Sequence, residues 1–124
     1  VAVLLLGTND HKSRFALNGF DIASGARRLV EVMQSSGHVG RILWICPPPP
    51  LERGCLAEMF EGAEPRGRTV AGHMQAMAAD LGVDFLDAGA LIAVDPLDGV
   101  HLSVTAHATL GAAVAARLRE MLQA

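Results

Sequence analysis

At 124 residues the chain is one domain's worth, and its 51% apolar content is enough to build a core. Its 10 basic residues against 13 acidic ones leave a net charge of -3. The arginines fall in scattered pairs such as Arg27 with Arg28 and Arg117 with Arg119, and no face reads as built for phosphate backbones. No uninterrupted apolar run approaches the ~20 residues that a spanning helix needs, so neither nucleic acid nor membrane is expected as a partner. Two cysteines, Cys46 and Cys55, make no disulfide framework and favour a reducing compartment, with the cytoplasm the expected location.

Val1 to Leu6 is apolar at consecutive positions, which predicts a strand buried on both faces of a parallel sheet. Asp21 is the expected N-cap of a helix whose apolar stripe runs Ile22, Ala26, Leu29, Val30 and Met33 before Gly37 stops it. Arg41 to Cys46 predicts a second buried strand, and Pro47 to Pro50 forbid both helix and ladder from continuing. Leu51 to Phe60 is expected as a short helix weakened by Gly54. Val70, Met74, Met77, Ala78 and Leu81 mark a clearer helix ending at Gly82. Val83 to Leu86 reads as the third strand and Asp87 to Leu97 as a loop. From Ser103 as N-cap, Val104, Leu110, Val114, Leu118, Met121 and Leu122 predict the final helix.

Strand and helix alternating three times is the pattern of an α/β fold, a parallel sheet with helices on both faces. Its functional loops should lie at the C-terminal ends of the strands. That places Thr8 to Asp10, the proline run, and the segment Asp98 to His101 on one rim.

Two of these loops carry chemistry. Asp98 stands three residues before His101 on a glycine-containing turn, where its carboxylate can accept the Nδ1 proton and leave Nε2 free as a base. Asn9 follows the first strand and offers a side-chain amide donor suited to an oxyanion. The competing reading makes Asn9 and Asp10 ordinary turn residues bonding their own backbone, and His101 a polar residue near a helix start.

The blocks GTNDHK and DGVHLS, the order in which they occur, and the proline run after the intervening strand resemble the SGNH or GDSL-type serine hydrolases, most closely their bacterial arylesterase and acyl-transferring branch. The resemblance implies that Asn9 is an oxyanion donor, His101 the general base and Asp98 its orienting partner. It implies a three-layer flavodoxin-like sheet of which residues 1–124 supply the C-terminal three strands of an expected five. The substrate it implies is a small-molecule carboxylic ester, and it implies no cofactor.

The Gly-Asp-Ser block of the family is absent, and the nucleophile is expected outside these residues. It would lie on an upstream segment removed by proteolysis, on a second polypeptide of a nicked protein, or on upstream residues that these 124 do not include. None of Ser13, Ser24, Ser35, Ser36 and Ser103 sits on a strand-to-helix elbow where a nucleophile would be exposed. His11, His38, His73 and His107 read as structural or solvated, and His101 with His107 lacks a third metal ligand at sensible spacing. Trp44, Met33, Met74 and Met77 read as core. Leu51, Phe60 and Ile92 are candidates for either core or acyl pocket. The apolar character of the chain is compatible with a homo-oligomer. A reading of a different class is a catalytically inactive flavodoxin-like module that binds a ligand or regulates.

Overall fold

The computed structural model describes all 124 residues. Strands β1 (Ala2–Leu5), β2 (Ile42–Cys46) and β3 (Asp84–Asp87) form one parallel sheet in the order β1-β2-β3. Helices α1 (Gly19–Ser35) and α2 (Ala63–Leu81) connect them, and α3 (Val104–Gln123) follows β3. Two right-handed crossovers that step the same way along a sheet must put their helices on the same face. Accordingly α1 and α2 pack on one face, and α3 returns across the other.

Strand β2 is why this arrangement holds. All five of its residues are buried, and alternate side chains enter different cores. Ile42, Trp44 and Cys46 meet Ile22, Val30, Val70 and Met74 from α1 and α2. Leu43 and Ile45 meet Ala106, Leu110 and Met121 from α3, with Ala88 and Ile92. Burying one large apolar side chain is worth about 1.5–3 kcal/mol, so this one strand anchors both layers.

Strand β1 departs from expectation. Leu4 is buried against α1 and α2, but Val3 and Leu5 are 46% and 39% exposed. They lie on the face that α3 covers over β2, and α3 does not extend over them. An uninterrupted apolar run shows that both faces favour cover, not that these residues supply it.

Three further boundaries differ from the sequence reading. The N-cap of α1 is Asn18, whose side chain accepts from Asp21 N at 2.8 Å, while the Asp21 carboxylate accepts from Asn18 N at 3.2 Å. Asp21 is thus the inner half of a capping box and not the cap. Leu51 to Phe60 is not a helix: it holds a single 3₁₀ turn at Gly54–Leu56, because Arg53 is extended and Gly54 has φ +71°. Helix α2 begins at Ala63, about two turns before Val70, the first apolar residue of its predicted stripe, with Pro65 tolerated in its first turn. Ser103 caps α3 as expected, accepting from Ala106 N at 3.1 Å.

Candidate active site

The loop after β1 winds into one 3₁₀ turn, Thr8–His11, closed by the backbone alone: Asp10 N donates to Gly7 O and Lys12 N to Asn9 O. Neither Asn9 nor Asp10 uses its side chain to cap that turn. The Asn9 side chain is exposed, so its amide is free to meet a ligand. Behind it His11 is buried, with an Nδ1 that has no partner in the protein. Burial first, and then the Arg66 guanidinium, hold its imidazole down to about 4, so it is neutral at neutral pH. Arg66, from the first turn of α2, donates to the His11 carbonyl and to Glu61 O.

The segment before α3 folds around Asp98. One carboxylate oxygen, Oδ1, accepts from Val100 N at 2.8 Å and His101 N at 2.9 Å. The other, Oδ2, lies 2.6 Å from His101 Nδ1. The backbone bond from His101 chiefly, then that from Val100 and the imidazole bond, hold the Asp98 carboxyl down to about 2. An Asp98 ionised throughout the neutral range requires the proton on Nδ1, which leaves Nε2 with a free lone pair. The His101 side chain is 75% exposed and Asp98 only 22%, so the imidazole reaches solvent while its partner carboxylate is held in the loop.

The two loops meet. Thr8, Asn9, Val100, His101, Leu102 and His107 line one open depression of about 280 Å³ at the C-terminal rim of the sheet. Asn9 and His101 are brought together as their motifs implied. His107, read as structural or solvated, is exposed but also lines this depression. The Ser103 cap sets it one turn into α3, above the loop, and that spacing was the signal available for it. Arg66 had no sequence signal, since it reaches the site only through the carbonyl of His11.

The remaining candidates separate cleanly. Phe60, at 1% exposure, and Ile92, at 9%, are core residues, and Leu51 is half-buried outside the depression. Trp44 and Met74 are fully buried. Cys46 is buried, its thiol pushed up to about 12 chiefly by that burial, and Cys55 is exposed; neither is bonded to the other. Ser13 donates to Met59 O, Ser35 to Glu31 O and Ser36 to Met33 O, and the Ser103 hydroxyl caps α3. No three His, Cys, Asp or Glu side chains cluster as a metal would need.

No protein-family model and no curated protein matches the chain. Solved structures do. It is similar to Est24, a carbohydrate acetylesterase from Sinorhizobium meliloti, with 33% identity and a TM-score of 0.88 over 96% of this chain and 60% of that one. It is also similar to the inhibitor-bound aryl esterase of M. smegmatis, with 34% identity and a TM-score of 0.85 over 95% of this chain and 59% of that one. A second carbohydrate acetylesterase family member from Sinorhizobium meliloti gives 28% identity and a TM-score of 0.89, over 98% and 61%. The chain therefore spans about 60% of the length of the solved esterases it matches. As the GTNDHK and DGVHLS blocks implied, it carries the C-terminal part of the fold of these acetylesterases and arylesterases of the SGNH hydrolase type.

Proposed function

We propose that residues 1–124 are the C-terminal part of a carboxylic ester hydrolase acting through a serine acyl-enzyme, in which they provide the general base, its orienting carboxylate and one oxyanion donor. The observation that carries this reading is the 2.6 Å contact between His101 Nδ1 and Asp98 Oδ2, set in one depression with the free amide of Asn9. The solved esterases of similar fold support it.

In this mechanism His101 Nε2 takes the proton of a serine hydroxyl as its oxygen attacks the ester carbonyl. Asp98 stabilises the imidazolium that forms. The Asn9 amide donates to the oxygen as it becomes an anion, where charge develops and such a bond counts most. When the tetrahedral intermediate collapses, His101 returns the proton to the departing alkoxide. Water or a second alcohol, deprotonated by the same nitrogen, then attacks the acyl carbonyl, and as the serine oxygen leaves His101 returns the proton to it, giving hydrolysis or transfer.

The serine is supplied by a segment outside these residues, since none of Ser13, Ser24, Ser35, Ser36 and Ser103 lines the depression that holds Asn9 and His101. The same segment would cover Val3 and Leu5, the apolar side chains that α3 leaves exposed on β1. Small acyl groups are the fitting substrates, on carbohydrate or aryl alcohols as in the esterases of similar fold.

A fluorophosphonate probe tests the reading. The complete protein should be labelled at a single serine, and His101→Ala should abolish labelling while the fold persists. A folded protein that takes no label would instead be a ligand-binding or regulatory module.

A further inference from the structure

Between the proline run and α2, residues 51–54 form a strap that belongs to neither motif. At one side it abuts the base loop, backbone against backbone. Leu51 N donates to Gly99 O at 2.7 Å. A Cβ on Gly54 would stand 2.0 Å from Leu97 O and 2.8 Å from Asp98 Cα, and one on Gly99 would stand 2.3 Å from Leu51 O. Both glycines also have positive φ, +71° and +76°. Only residues without a side chain let these two backbones approach so closely.

At its other side the strap is fastened to the start of α2. Glu52 Oε1 accepts from Gly62 N at 2.7 Å and Oε2 from Glu64 N at 3.2 Å, while Glu52 N donates to the Glu64 carboxylate at 3.3 Å. A carboxylate on unpaired N–H groups at a helix N-terminus is favoured both as a charge-assisted bond and by the helix dipole. The same first turn carries Arg66, which grips the carbonyl of His11 in the Asn9 loop. One rigid element thus holds both loops of the site.

We propose that Glu52 and Gly54 are positioning residues for the Asp98–His101 pair. Glu52 ties the strap to α2, and Gly54 lets it seat against Asp98, so that the imidazole faces the Asn9 donor at a fixed separation. This rests on the reading of His101 as the base. Neither residue touches substrate, so both should act on turnover and not on substrate affinity. A displacement of the pair of about 1 Å costs on the order of a hundredfold in rate.

The test uses the complete protein and an aryl acetate, with Glu52→Ala, Glu52→Gln and Gly54→Ala. Gly54→Ala should lower kcat about 10- to 100-fold with KM unchanged. Glu52→Ala should lower it less, and Glu52→Gln, which keeps an acceptor for Gly62, should recover most of the loss. Side-chain ¹⁵N shifts of His101, which report the Nδ1–H tautomer, should change in Gly54→Ala. Unaltered kcat in both alanine variants of an active parent would overturn the proposal, as would a loss that tracks only the folded fraction. Should the parent hydrolyse no ester, the esterase reading fails and the ¹⁵N shifts decide alone: an unchanged tautomer in folded Gly54→Ala refutes positioning, and a changed one sustains it.

Discussion

His11 makes the protein acid-sensitive two residues from Asn9, and the magnitude follows from its surroundings. The imidazole is 4% exposed, and its Nδ1 has no partner. Burial and the neighbouring Arg66 lower its affinity for a proton from the ordinary 6.5 to about 4. Between those values the unfolded chain binds a proton that the folded one refuses, so stability falls as the pH falls through the window. The full loss, below both values, is about 3 kcal/mol; going from pH 7 to pH 5 accounts for about 2 kcal/mol of it. Asp98 does not confuse this range, because its carboxyl is held at about 2 and its contribution is lost only as the pH falls below the ordinary carboxylate value. Urea unfolding of the complete protein at the two pH values measures the difference. In His11→Leu, which keeps the bulk and removes the titration, the pH dependence should shrink by about 2 kcal/mol. Identical pH dependence in the two proteins would show that His11 is not held neutral by its site.

Three predictions concern the chemistry, each in the complete protein. His101→Ala should cut aryl acetate turnover by several orders of magnitude with the fold intact, and activity within about tenfold of the parent would remove His101 from the mechanism. Asn9→Ala should raise the barrier by about 2.7–4 kcal/mol, roughly a hundredfold to a thousandfold in kcat. Early melting with normal turnover of the folded fraction would make Asn9 a turn residue instead. Asp98→Asn should preserve the loop but present the wrong tautomer of His101, lowering kcat by about 10⁴; a small loss, measured by steady-state kinetics, would show that the imidazole is oriented by other means.

The elements that sequence alone determined are those whose signal is local. Ile42 to Cys46 followed by four prolines could only be a buried strand that stops, and Ser103 before an apolar stripe could only start a helix. The Asp98–His101 bond was legible from spacing, because three residues on a glycine-containing turn bring the carboxylate within reach of Nδ1. What tertiary structure decided depends on partners distant in sequence. The backbone of Leu51 to Gly54 was set by Asp98 and Gly99 some 45 residues on, so its helical composition was overruled. Helix α2 begins at Ala63 with the carboxylate of Glu52, outside it, accepting from Gly62 N and Glu64 N. Val3 and Leu5 carried the same apolar signal as Leu43 and Ile45, yet only the latter lie where α3 crosses the sheet. A side chain's hydrophobicity is written in the sequence, whereas its burial depends on which helix the fold brings over it.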